Sequence, residues 1–82
     1  MGLHARPAAI LAQTAGKFIS EIKIEKDGVE VNAKSIMGIM MLAAQQGAVL
    51  TFTFEGTDEA EALKAVEDLF ISEFSEAYNG QY

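Results

Sequence analysis

The chain has no cysteine, one proline, one histidine and only six basic residues among 82. Each scarcity closes a class of function. Without cysteine there are no disulfides and no thiol chemistry, which fits a cytosolic setting. One histidine and no cysteine leave carboxylates as the main metal donors, and these lack the spacing of a calcium loop, so no metal or cofactor is expected. Six basic against twelve acidic residues give a formal net charge of −6. That is the wrong sign for gripping a nucleic-acid backbone and the right sign for meeting basic protein surfaces. No apolar run approaches the ~20 residues of a membrane-spanning helix, and no basic-plus-apolar leader is recognisable. Half of the residues are hydrophobic, so the chain reads as one globular domain over 1–82, with a thin core.

What is present concentrates at the N-terminus, in Met1-Gly2-Leu3-His4-Ala5-Arg6-Pro7-Ala8-Ala9-Ile10. His4 is the sole histidine and sits where a glycine-led loop is expected to turn into a helix. Pro7 suits the helix start, where its missing N–H costs nothing. Open backbone N–H groups at a helix start attract anions, and the Arg6 guanidinium can clamp phosphate with two parallel hydrogen bonds. A neutral imidazole beside such a site is a competent phosphoryl acceptor. A lone histidine near a helix start is, equally, often a simple cap or half-buried polar residue. Spacing alone leaves both readings open.

Along the chain, Ala8, Leu11, Ala12, Ala15 and Phe18 recur at helical spacing and predict a helix from Ala5 to about Gly16. Its alanines make it slim, and Ala9 is assigned partly to docking. Glu21 to Lys26 alternates as a half-buried strand with Ile22 and Ile24 on one face, Asp27-Gly28 signals a two-residue hairpin, and Val29-Glu30-Val31 returns. Ser35 is placed to cap a short helix running to about Leu42 or Ala44. That helix is apolar all round, so some of Ile36, Met37, Met40 and Met41 must lie in the open, as a methionine-rich patch able to repack against several partners. Ala48 to Phe54 alternates as a strand with Leu50, Phe52 and Phe54 inward. Thr57 to Glu61 opens a last helix, with Asp58 and Glu61 resembling a capping box and Leu63, Val66, Leu69, Phe70 and Phe74 as its apolar stripe. Residues 77–82 read as a frayed tail. The order helix, strand, strand, helix, strand, helix predicts an α+β open-faced sandwich, helices on one face of a small antiparallel sheet.

Two segments carry a resemblance. Gly2-Leu3-His4-Ala5-Arg6-Pro7-Ala8 resembles the active-site signature of HPr, the histidine-containing phosphocarriers of the bacterial phosphoenolpyruvate:sugar phosphotransferase system. Asn32-Ala33-Lys34-Ser35-Ile36-Met37-Gly38 is similar to the regulatory serine segment of the low-GC Gram-positive form. The resemblance implies that His4 is phosphorylated on Nδ1 by enzyme I and passes the group to sugar-specific IIA components during sugar uptake. It implies that Arg6 stabilises the phosphoryl charge, helped by backbone N–H groups of Ala5 and Arg6, and that Ala9, Ile36, Met37 and Met40 form the docking surface. Ser35 becomes the ATP-dependent site of a serine kinase/phosphorylase, its phosphorylated form a co-repressor with a catabolite-control transcription factor. The chain is then a phosphocarrier rather than an enzyme. It contacts neither nucleic acid nor membrane directly.

The family fold is βαββαβα, and its first strand precedes the Gly-Leu-His loop. Here only Met1-Gly2-Leu3 stand before His4, so that strand is expected to be missing, leaving the strand at Ala48–Phe54 as an unpaired edge through which a dimer can form. A truncated or misread start is the favoured explanation. A strand supplied by another chain or by the C-terminal residues, and a degraded copy, are the alternatives. A second functional class is a regulatory interaction module acting through phospho-Ser35. Relatives of that kind lack the active-site histidine, and this chain keeps His4 and Arg6. A nitrogen-related phosphorelay is disfavoured by the form of the Ser35 segment. The identity of the transported sugars belongs to the IIA partners.

Overall fold

The structure, a computed structural model, describes the backbone of residues 2–43 and 49–74 and the side chains of residues 6–43 and 49–72. Helix α1 spans Gly2–Gly16, strands β1 and β2 span Glu21–Lys26 and Val29–Asn32, and helix α2 spans Ile36–Ala43. Strand β3 covers Thr51–Glu55 and helix α3 Glu59–Leu69, which passes directly into a π-helical turn at Phe70–Phe74. The element order follows the expectation, and the expected C-terminal tail lies outside the described residues.

The three strands are antiparallel in the order β2-β1-β3. Lys26 pairs with Val29 across a two-residue turn, with Asp27 and Gly28 at φ 52° and 82°. These left-handed values are those an Asp-Gly hairpin turn is selected for. One sheet face carries Ile22 and Ile24, which are buried with Leu11, Ala15, Ala33, Leu42, Ala62 and Val66. Phe52 and Phe54 pack half-buried against this cluster. The other face is polar, and Lys23 bridges Glu21 and Glu30 there at 3.8 and 3.5 Å. All three helices lie on the apolar face: α1 packs on α2 and α3, α2 on β2, and α3 on β3. This is the open-faced α+β sandwich.

Several local expectations are corrected. Helix α1 begins at Gly2 rather than Ala5, so Pro7 lies inside the helix and not at its start. Proline's fixed φ is itself helical, and nothing between Gly2 and Arg6 forces a stop. The cost is the hydrogen bond that the Leu3 carbonyl would have received from residue 7. The stripe of α3 runs through Ala62 and Val66, with Leu69 half-buried, whereas Leu63 and Phe70 are exposed. A small residue sits where the helix approaches the core, and the larger leucine is turned one position outward. Asp58 flanks α3 but makes no side-chain cap to it. Instead the Gly56 N–H donates to Glu59 Oε1 at 3.0 Å, so a different acid closes the helix entrance.

Candidate functional site

Two helix starts frame the region. At the first, α1 has no acidic residue in its first turn and no basic residue in its last. The positive end of its dipole therefore meets Arg6, whose side chain is exposed, rather than a carboxylate. A helix N-terminus with added positive charge and no built-in counter-ion favours an anion from outside. His4 lies in the first turn of this helix by its backbone, and its side chain, like that of Ala5, falls outside the described set. Counted from Gly2, the open amides lie upstream of Arg6, so the Arg6 N–H belongs to the helical ladder and not to the open end. Ala8 is buried, while Ala9 is half-buried.

The second start is built more elaborately. Asn32 ends β2, and its Oδ1 accepts the Lys34 N–H at 2.8 Å while its carbonyl accepts the Ser35 N–H at 3.0 Å. This is an Asx turn, in which a side chain substitutes for backbone in reversing the chain. Ser35 Oγ then accepts the Gly38 N–H at 3.0 Å, and the Ser35 carbonyl accepts the Ile39 N–H at 3.0 Å. Ser35 is thus the N-cap that its position predicted. Lys34 anchors the turn by donating from Nζ to the Phe18 carbonyl at 2.7 Å, just beyond the end of α1. A Cβ on Gly38 would stand 3.1 Å from Val31 Cβ, so glycine permits the close seating of α2 on β2.

The two ends of the short helix are held differently. Leu42 points into the core at 2% exposure, and its carbonyl accepts Lys26 Nζ at 3.1 Å. Lys26 is buried on the inward face of β1, two residues past Ile24. A cation at the negative end of a helix is favourable, and β1's period of two already placed Lys26 inward. With Leu42 fixing the helix rotation, the opposite side faces outward: Met37 is 78% exposed, Met41 52%, Ile36 42% and Met40 36%. Ile39 alone of the remaining apolar residues packs against the core. Because α1 packs against α2, the helices bearing the His4 and Ser35 segments share one layer. Among the described residues no cluster of side chains is suited to hold a metal, and no helix is long and apolar enough to cross a membrane.

A family model described as "PTS HPr component phosphorylation site" matches residues 1–72. The chain belongs to the PTS-HPr family. It is 51% identical to the phosphocarrier protein HPr of Treponema pallidum (strain Nichols) over 75 residues, 92% of this chain and 85% of that protein. It is 58% identical to the HPr-like protein Crh of Halalkalibacterium halodurans over 65 residues, 79% of this chain and 77% of that one. The crystal structure of an HPr dimer from Thermoanaerobacter tengcongensis superposes with a TM-score of 0.78 at 60% identity, covering 88% of this chain and 83% of the other. The resemblance drawn from the two motifs is therefore correct at the level of the family and of its sandwich fold. The family's members here include proteins named phosphocarrier protein HPr and proteins named HPr-like protein Crh, which gives the two helix starts their context.

Proposed function

We propose that this PTS-HPr family member is a cytoplasmic phosphocarrier, acting as one domain, that shuttles a phosphoryl group from phospho-enzyme I to sugar-specific IIA components. His4 is the carrier residue. Its Nδ1 attacks phosphorus, an N–P bond forms as the bond to enzyme I breaks, and the reverse exchange delivers the group to the next acceptor. The observation that carries this reading is the family match across residues 1–72, together with His4 and Arg6 at the uncompensated positive end of α1. Arg6 balances the charge of the transferring group, with the Ala5 amide beside it. Little other machinery is required, because in-line positioning comes from the partner. The carrier is therefore not an enzyme in its own right.

Ala9, Ile36, Met37 and Met40 form the docking surface. A small apolar patch fits brief encounters better than lasting ones. Ser35 is the regulatory site: its hydroxyl already lies at the N-terminus of α2, where added negative charge is locally favourable. The same charge stands beside the patch, where it repels an acidic partner and recruits a basic one such as a catabolite-control transcription factor. Strand β3 lies at the end of the sheet order, and its outer edge is the surface through which a dimer forms. A dimer of a 60% identical relative supports association between copies.

A second reading, a regulatory module working through phospho-Ser35, is favoured by the 58% identity to an HPr-like protein Crh. Incubation with enzyme I and phosphoenolpyruvate separates the two. An acid-labile adduct of one phosphoryl group, absent in His4→Ala, supports the carrier. Phosphate found only on Ser35, and only with a serine kinase and ATP, supports the regulator.

A further inference from the structure

The sequence contains no cysteine and four methionines, at positions 1, 37, 40 and 41. All sulfur outside the first residue is therefore gathered within five consecutive positions of α2. Met37 and Met41 are one helical turn apart, and Met40 is three residues from Met37, so the thioethers neighbour one another on the helix surface. They are 78%, 52% and 36% exposed for Met37, Met41 and Met40. Leu42, by contrast, fills the core beneath them at 2%. The burial of that single leucine fixes which side of α2 faces solvent, and the methionines occupy it.

We propose that Met37, with Met41 and then Met40, forms a reversible methionine-oxidation site that switches the outer face of α2 from apolar to polar. The co-reactant is a hydroperoxide. A sulfur lone pair attacks the terminal peroxide oxygen, an S–O bond forms as the O–O bond breaks, and a proton transfer releases water, or an alcohol from an alkyl peroxide. The thioether is oxidised by two electrons and the peroxide is reduced by two. The product sulfoxide is polar and chiral. Its strong acceptor oxygen must be desolvated without a partner whenever an apolar surface closes over it, which weakens association. Because Met37 and Met41 stand clear of the core, the change acts on the surface and leaves the fold in place. Methionine sulfoxide reductases return the thioether. In a chain without thiols, this patch gathers every thioether except that of Met1.

The functional consequence rests on the proposed docking role of α2, whereas the order of oxidation does not. The test treats the full chain with hydrogen peroxide, maps sulfoxides by peptide mass spectrometry, and measures initial phosphoryl transfer from phospho-enzyme I. Expected is oxidation of Met37 first, Met41 next and Met40 last. Transfer is expected to fall by about tenfold, to recover after reductase treatment, and to leave the melting temperature unchanged. In M37L/M40L/M41L, treated and untreated samples are expected to transfer at the same rate. Equal oxidation of Met37, Met40 and Met41, or a collapse of the melting temperature, overturns the site. Met37→Asp, assayed without peroxide, separates the two ideas. If Met37→Asp slows transfer but sulfoxide at Met37 and Met41 does not, the switch is overturned and docking stands. If neither slows it, the docking role falls and the switch falls with it.

Discussion

The Asp58 carboxylate reaches across the fold to Ser20: Oδ1 accepts the Ser20 N–H at 2.9 Å and the Ser20 hydroxyl at 2.5 Å, while Oδ2 accepts the Ile19 N–H at 2.9 Å. One acid at the entrance of α3 thus satisfies three donors in the segment that leads from α1 into β1. It fixes where the first strand begins relative to the last helix. These bonds, led by that from the Ser20 hydroxyl and then that from the Ile19 N–H, hold the Asp58 carboxyl below its usual 3.8, against an opposing push from desolvation. A carboxyl whose folded value is depressed contributes stability that is complete above the usual value and lost as pH falls through the folded one. Asp58→Asn is therefore expected to lower the melting temperature at neutral pH and to flatten its decline below about pH 4. Thermal melts from pH 2.5 to 7 check this, and an acid limb as steep in Asp58→Asn as in the parent would remove Asp58 from the account. Ser20→Ala, which leaves two of the three donors, should cost less.

Gly56 sits against the same tether. Its φ is 155° and a Cβ there would stand 2.6 Å from the Ser20 Cα, a backbone atom that no rotamer change can move. Gly56→Ala combines backbone strain with overpacking, and an unfolding loss of more than about 2 kcal/mol is expected from urea titration. Combining Gly56→Ala with Asp58→Asn should cost less than the sum of the two, because both release the same contact.

Much of this architecture was legible in advance because it is written in local periodicity. The alternation of Ile22 and Ile24, the Asp27-Gly28 turn and the serine ahead of an apolar run each specify geometry within a few residues. What escaped was long-range or ambiguous in phase. Asp58 followed by Glu61 looked like a helix cap, but its partner lies 38 residues away in sequence, at Ser20. Ala62 and Leu63 satisfy the same helical period, and only packing distance decides which turns inward. Pro7 marked a helix start that the backbone passes through. For the candidate site, residue types pointed to the family, while the Lys34 contact to the Phe18 carbonyl and the Lys26 contact to the Leu42 carbonyl emerge only once the elements are brought together.

Ser35 allows capping and regulation to be measured apart. Ser35→Ala removes the acceptor for the Gly38 N–H, a loss of about 1 kcal/mol, and removes the proposed phosphorylation site. Ser35→Asp retains a side-chain oxygen for the Gly38 amide and adds charge at the N-terminus of α2, so its stability should stay within about 0.5 kcal/mol of the parent. Its transfer from enzyme I should nonetheless be slower than that of Ser35→Ala. Equal transfer rates for the two variants would mean that charge at this helix start does not govern partner choice.

The two sides of α2 predict opposite phenotypes. Leu42 is enclosed by core side chains, so Leu42→Ala opens a cavity and should cost about 2–5 kcal/mol. Met37 stands outside that core, so Met37→Ala should change unfolding free energy by less than about 0.5 kcal/mol. Its effect belongs to association: fewer apolar contacts at the proposed docking face should raise the apparent KM for the proposed donor, enzyme I, several-fold while the limiting transfer rate holds. Temperature separates the two defects. Leu42→Ala should recover near-parental transfer on cooling to where its folded population is restored, because its outer face is intact, whereas Met37→Ala should keep its raised KM at every temperature at which it is folded. A KM unchanged in Met37→Ala, with melting temperature also unchanged, would show that partners approach the carrier from another side.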